Sequence, residues 1–257
     1  MNKNFNWYKY NAKYYDQIDA DGIPYDAIAD TLTKIFRKNN VKTIVDLGCG
    51  TGNFYIPLAK QGFDLLGIDI SADMLKIAKR KIIKNKLKPN LILSDIRDVI
   101  TEKFDAAICL YNVIGDINYH DFSIVIKNMI DSIKSDGIIC FDVINFENVK
   151  TFEFDNKYFI EKEFKSDKLH RLSRRTKQKL NKQDQTLEIN QSVIIDGKLD
   201  KNTSNNKMYL YTLDQVTKLI ESFGLRTKLM YGSYDNKHGI VSFKNNDPII
   251  GVIAQKI

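Results

Sequence analysis

Two hydrophobic patterns alternate between residues 24 and 144, and this alternation constrains the fold more than any other feature of the chain. Short apolar runs read as buried strands, and the segments between them carry apolar residues at helical spacing. Such a rhythm demands a parallel sheet with helices on both faces. Strands are expected over residues 43–47, 65–69, 91–94, 106–111 and 138–144. The first helix is expected to start at Pro24, which loses no needed donor at an early helical position, with Ile28, Leu32 and Ile35 at i, i+4 and i+7. Ser71 is placed to cap the helix after the second strand, with Asp73 in its first turn.

Beyond residue 150 the rhythm changes. Residues 157–163, 169–179, 186–195 and 207–211 read as antiparallel strands, with Asp196-Gly197 as a turn signal. Thr212 opens a helix through Phe223 with Gln215 three residues on, a capping-box pattern, and Gly224 ends it. Strands near 225–231 and 249–256 then close the sheet as an antiparallel pair. The expected fold is α/β: a doubly wound seven-stranded sheet, parallel with an antiparallel C-terminal strand. Residues 1–150 and 212–257 build it, and residues 151–211 form an inserted antiparallel meander.

A chain of 257 residues with 43% hydrophobic and 28% charged side chains is an ordinary globular sequence, neither disordered nor collagen-like. It contains no run of about 18 apolar residues, and its polar, aromatic start lacks an apolar signal core, so a cytoplasmic protein is expected. Cys49, Cys109 and Cys140 are odd in number and lack CxxC spacing, and His120, His170 and His238 are scattered, so neither disulfides nor a metal site is expected. The net charge of +7 is mostly local: residues 161–182 alone carry +6. Only seven residues of the chain are arginine, and Arg171, Arg174 and Arg175 are three of them. Their forked donors suit phosphate or carboxylate, against the simpler reading of a solvated basic strand pair.

The first strand runs into Val45-Asp46-Leu47-Gly48-Cys49-Gly50-Thr51-Gly52, where an open parallel sheet presents its ligand crevice. The spacing is G-x-G-x-G. It differs from the G-x-G-x-x-G of dinucleotide sites and the G-x-x-x-x-G-K of phosphate loops. A carboxylate at Asp46 would repel a pyrophosphate and suit a cation. Asp69 closes the second strand, where it can accept from both hydroxyls of a ribose. Met74 can lie on an adenine face, and Asp95, ending the third strand, can accept from an exocyclic amine; a core methionine and a strand-end cap are the plainer alternatives.

These segments, with Gly67-Ile68-Asp69-Ile70-Ser71 and Ser94-Asp95-Ile96, resemble the successive cofactor motifs of the class I S-adenosylmethionine-dependent methyltransferases, over roughly residues 40–145. Tyr14-Tyr15-Asp16, Asp116-Ile117-Asn118-Tyr119, Phe141-Asp142-Val143 and the meander before Tyr211-Thr212 resemble the nucleotide-linked aminosugar N-methyltransferases, and glycine N-methyltransferase more loosely. The resemblance implies a Rossmann-like fold and S-adenosyl-L-methionine as cofactor, released as S-adenosyl-L-homocysteine, without a metal. It implies cofactor contacts from Tyr25, Asp46, Gly48, Cys49, Gly50, Asp69, Ile70, Met74, Asp95, Ile96, Leu110 and Tyr111.

Attack on a sulfonium methyl needs alignment and exclusion of water, and an amine or hydroxyl acceptor must also lose a proton. Tyr15, Asp116 and His120 are the candidate catalytic groups; Tyr15 matches a pocket-capping tyrosine of the aminosugar relatives, and Asp116 and His120 stand four apart. Asn112, Tyr119, Asp142, Arg171, Arg174 and Arg175 are the candidate substrate contacts, with the meander covering the substrate site. Asp142 has the alternative role of orienting a neighbour. The expected activity is methylation of O or N on a small, polar, anionic metabolite such as a nucleotide-linked or phosphorylated sugar, by a monomer or homodimer that engages neither membrane nor nucleic acid. Methylation of RNA through the basic meander is the second reading and a non-catalytic cofactor-binding protein the third; Asp46, Gly48, Gly50 and Asp69 being intact argue against the third.

Overall fold

The computed structural model describes residues 8, 12–18, 20, 22–152, 160–164, 172–199 and 204–257, with 160–164 and 204 as backbone alone. In chain order the main elements are α1 (Tyr25–Lys38), β1 (Thr43–Leu47), α2 (Tyr55–Lys60), β2 (Asp64–Asp69), α3 (Ala72–Lys84), β3 (Leu91–Leu93), β4 (Phe104–Cys109), α4 (Tyr119–Asp131) and β5 (Ile133–Ile144). There follow β6 (Ile160–Phe164), β7 (Leu172–Asn181), β8 (Thr186–Ile195), β9 (Lys198–Leu199), β10 (Ser204–Tyr209), α5 (Leu213–Ser222), β11 (Arg226–Asp235), β12 (Gly239–Ser242) and β13 (Ile249–Gln255).

The large sheet has the order β12-β11-β13-β5-β4-β1-β2-β3. Strands β1 to β5 are parallel, whereas β13, β11 and β12 add antiparallel. Side-chain alternation divides the core in two. Val45, Ala107, Cys109, Ile139 and Phe141 pack beneath α4 and α5, while Ile44, Ala106, Ile108, Ile138 and Cys140 pack beneath α1, α2 and α3. The expected doubly wound architecture is therefore present, with eight strands instead of seven. The additional strand is β12, a four-residue run that pairs back on β11 from Asp235↔Gly239. Gly239 lies so close to the α1 backbone that any Cβ would collide with the Ala27 carbonyl, and Thr31 of α1 donates to the His238 carbonyl at 2.7 Å. Helix α1 starts at Tyr25, with Pro24 in the capping position, and buries Ile28, Leu32 and Phe36; Ile35 sits at the margin of that stripe.

The second sheet is antiparallel, in the order β10-β8-β7-β6, with β9 on β8. Asp196 and Gly197 both have positive φ, as the two-residue hairpin turn requires. Strand β10 ends at Tyr209, before the expected 211, because Tyr211 leaves it to bridge Asn145 beside the end of β5. Residues 157–159 and 169–171 of two expected strands lie outside the described residues, as do His170 and Arg171. No helix among the described residues is long and apolar enough to cross a membrane.

Candidate functional site

A pocket opens where β1, β2 and β4 end, floored by the glycine loop. Gly48 takes φ +75°, and a Cβ there would stand 2.5 Å from a Val113 methyl. Gly50, at φ +53°, has open space in front of it: the nearest atom to a Cβ would be the Gly48 carbonyl oxygen at 4.0 Å. The loop amides are turned inward. Gly48 and Cys49 donate to the Ile68 carbonyl at 2.8 and 3.0 Å, Gly52 to the Cys49 carbonyl at 2.9 Å, and Gly50 to Asp69 Oδ2 at 2.9 Å. A phosphate cradle needs several free N–H groups converging on one point, and these are already engaged.

Acidic groups surround that floor. Asp69 accepts from Gly50 and, through Oδ1, from the Ser71 amide at 2.8 Å, while burial raises its pKa. Each of its oxygens keeps a lone pair for a hydroxyl. Ser71 accepts from the Met74 amide as the N-cap of α3, which fixes Met74 in the pocket wall at 2% exposure. Asp46, expected among the cofactor contacts, does not line the pocket: it is the penultimate residue of β1, buried behind the loop with Oδ2 unpartnered, and burial, reinforced by Asp69, lifts its pKa to about 8. Asp95 behaves oppositely. Arg97 grips it through Nε and Nη2 at 2.9 and 2.6 Å, holding its carboxyl below the usual range, and Arg97 reaches Asp121 as well. Asp95, Ile96 and Arg97 all line the pocket, as do Cys49, Ile70 and Leu110. Arg97 was missed from sequence, although its i+2 spacing to Asp95 was there to be read.

Strand β4 ends two residues earlier than its apolar run suggests. Tyr111 and Asn112 both adopt left-handed backbone, at φ 65° and 57°, an uncommon state for two consecutive non-glycine residues. Asp142, 1% exposed on β5, holds them by accepting from the Tyr111 and Asn112 amides at 2.8 and 2.6 Å, and it accepts from the Tyr234 hydroxyl of β11 too. Asp142 thus acts behind the pocket, on the turn that presents Tyr111 to it. Asn112 also stays behind: its Oδ1 accepts from the Ile144 amide at 3.0 Å.

Tyr8, Tyr15 and Tyr25 also line the pocket, with Tyr25 edge-on to Phe54 at 4.9 Å and to Tyr111 at 6.3 Å. Asp116 lines the wall. His120 does not: Val113–Asp116 is a single 3-10 turn and Ile117 is extended, so the helical i, i+4 relation that would pair Asp116 with His120 is broken, and His120 is exposed on α4. Tyr119 also lies off the pocket, in an aromatic group with Phe122 and Tyr211. Arg174 and Arg175 stand on β7, outside the lining. Among the described residues no three His, Cys, Asp or Glu side chains gather as metal ligands.

A doubly wound sheet carrying this loop, with acidic groups where a nucleotide fold would keep phosphate donors, is the arrangement that the cofactor-motif resemblance of residues 40–145 implies. Residues 44–137 match the family model described as a methyltransferase domain. The protein YqeM of Bacillus subtilis is 32% identical over 139 residues, which are 51% of this chain and 53% of that protein. The chain spans about half the length of the curated relatives it matches. Among solved structures, an S-adenosylmethionine-dependent methyltransferase from Clostridium acetobutylicum superposes with a TM-score of 0.78 at 19% identity, over 95% of this chain and 97% of that one. CalS10, an amino pentose methyltransferase from Micromonospora echinaspora, gives 0.70 at 13% identity, over 92% and 93%. These two likenesses establish the fold.

Proposed function

We propose that this protein transfers a methyl group from S-adenosylmethionine to an oxygen or nitrogen of a small, polar, anionic metabolite. The observation that carries the cofactor reading is the unpartnered, buried Asp46 oxygen behind a glycine loop whose amides are already engaged. Such a floor rejects a diphosphate and suits a cation. The open space before Gly50 leaves room for the cofactor's methionine part, Asp69 accepts from the ribose hydroxyls, and Met74, Ile70 and Ile96 enclose the base. When bound, the cofactor supplies an electrophilic methyl.

The chain's own residues then have two tasks. Tyr8, Tyr15, Tyr25 and Tyr111 exclude water at the mouth, and a group on the wall takes the acceptor's proton. Asp116 is our assignment for that proton, since it lines the pocket and His120 does not. The anionic acceptor rests on the second sheet. Arg174 shares its strand face with Leu172 and Thr176, and Leu172 packs with Val193 against Ile18, Tyr8 and Tyr14 of the N-terminal segment. That face, with its arginine, looks toward the segment carrying Tyr15, which supports a meander roofing the acceptor.

The test is incubation with S-adenosylmethionine and a panel of nucleotide-linked sugars, phosphorylated metabolites, neutral sugars and RNA, read by mass. A gain of about 14 Da on a small anionic member is expected; modification of RNA alone, or of nothing with S-adenosylhomocysteine binding also absent, refutes the proposal.

A further inference from the structure

Four polar side chains outside the assigned cofactor contacts converge beside the pocket mouth. Asp16, in the turn Tyr15–Ile18, accepts through Oδ1 from Thr51 Oγ1 at 2.6 Å and Asn53 Nδ2 at 3.0 Å. Its Oδ2 accepts from Lys81 Nζ of α3 at 2.7 Å. Lys81 donates in addition to Asn53 Oδ1 at 2.6 Å and Thr51 Oγ1 at 3.2 Å, so each of the three ammonium protons has an acceptor. Thr51 and Asn53 belong to the glycine loop and its exit; Lys81 belongs to the helix that also carries Met74. All three seat elements therefore hold the cofactor pocket, and the fourth member adjoins Tyr15 in sequence.

The Asp16 carboxylate thus engages a seat built from the glycine loop, its exit and α3. The same turn is pressed on its other side by Leu172 and Val193 of the second sheet, through Ile18. We propose that Asp16 is a positioning residue: seated on Thr51, Asn53 and Lys81, it holds Tyr15 over the cofactor and slows the cofactor's release. This rests on the methyltransferase reading given above. Lys81 and Asp16 remain partly solvated, so their contribution is the modest one of a networked ion pair and not that of a core contact. The pair therefore governs a closure equilibrium without governing folding.

The experiment is a double-mutant cycle on release of radiolabelled S-adenosylmethionine from the full chain, using Asp16→Asn, Lys81→Met and both together, with unfolding temperature measured in parallel. Each single substitution is expected to speed release about five- to tenfold, the double to be no faster than the quicker single, and the unfolding temperature to stay within about 2 °C. Tyr15→Ala is expected to speed release comparably and to lose its sensitivity to Asp16→Asn. Unchanged release in the single variants, or effects that simply multiply in the double, overturns the proposal. A wild-type protein that fails to bind the cofactor sinks the methyltransferase reading instead, so the two failures are distinct.

Discussion

Replacing Asp46 by asparagine tests whether the site is electrostatically prepared for a cation. The native carboxyl titrates at about 8 because it is buried and because Asp69 lies near, whereas in the unfolded chain it titrates at its ordinary 3.8. Between those values the native state keeps a proton that the unfolded state has released. Stability must then fall as pH rises through the interval, by roughly 1 kcal/mol per pH unit, and level off above about pH 8. Over the whole interval this approaches an order of 5 kcal/mol, a large share of the roughly 5–15 kcal/mol that holds a domain folded. Asp46→Asn keeps the shape and removes the titration. Relative to wild type, its unfolding free energy in the ligand-free state is expected to gain on the order of 3 kcal/mol between about pH 5 and pH 8, measured by urea denaturation at each pH.

The same residue makes a second measurement decisive. A bound cation stabilises the carboxylate, so binding of S-adenosylmethionine near pH 7 should expel a proton that Asp46 holds in the free protein. Calorimetric titration in two buffers of different ionisation enthalpy should show close to one proton released for wild type and none for Asp46→Asn. Parallel stability profiles for the two proteins, together with a buffer-independent binding enthalpy, would refute the assignment of Asp46 as a protonated, cation-receptive group.

Three further substitutions have defined outcomes. Asp69→Ala removes the acceptor of the Gly50 and Ser71 amides along with the ribose contact; affinity for S-adenosylhomocysteine should fall at least about tenfold by calorimetry, and unchanged affinity would exclude the contact. Gly48→Ala places a Cβ at positive φ and against Val113, and should cost about 2–4 kcal/mol in denaturant unfolding; adding Val113→Ala should recover the steric part and leave about 1 kcal/mol of backbone strain. Asp142→Asn turns an amide toward the Tyr111–Asn112 turn. We expect about 2–3 kcal/mol of lost stability and a lower kcat at unchanged acceptor KM, since the turn presents Tyr111 but no acceptor group; a raised KM alone would return Asp142 to the substrate contacts.

What the sequence made legible is what local chemistry decides. Strand β1 is found at its expected residues because a buried parallel strand is nearly all apolar, here with Asp46 as the exception, and a glycine loop ends it. Ser71 and Thr212 cap their helices as expected because capping is settled within three residues, and the Thr212–Gln215 pair closes a reciprocal box. The features that were missed depend on partners far away along the chain. Strand β4 stops at Cys109 because of a carboxylate on β5, the Asp16 seat joins residues 35 to 65 positions apart, and β12 is a short run held by its approach to α1. Of the two readings that a spacing of four leaves open for Asp116 and His120, an acid/base pair or a cap with a solvated neighbour, the extended Ile117 and the exposed His120 fit the second, because i, i+4 proximity holds only inside one continuous helix.

Two aspartates that line the pocket, Asp69 and Asp95, and Asp46 buried behind its floor began as equivalents in the sequence, each ending or nearly ending a strand, and their surroundings divide them. Asp95 is paired with a guanidinium and stays ionised, so on the proposed reading it is a fixed acceptor for the base edge. Asp69 is buried yet satisfied by two backbone amides, which fixes its direction and leaves lone pairs for hydroxyls. Asp46 is buried with an oxygen unsatisfied, an arrangement whose cost is relieved by a proton or by an incoming cation. A fixed acceptor, a hydroxyl acceptor and a latent anion, reached in sequence along one rim, match a ligand with a base, a ribose and a positive end. A diphosphate would leave the proton on Asp46 in place, gain nothing from it, and find the loop amides already committed to Ile68 and Asp69. On the proposed reading, selectivity for a sulfonium nucleoside over a dinucleotide lies in where the first loop's hydrogen bonds go, because the G-x-G-x-G loop folds back onto the end of β2.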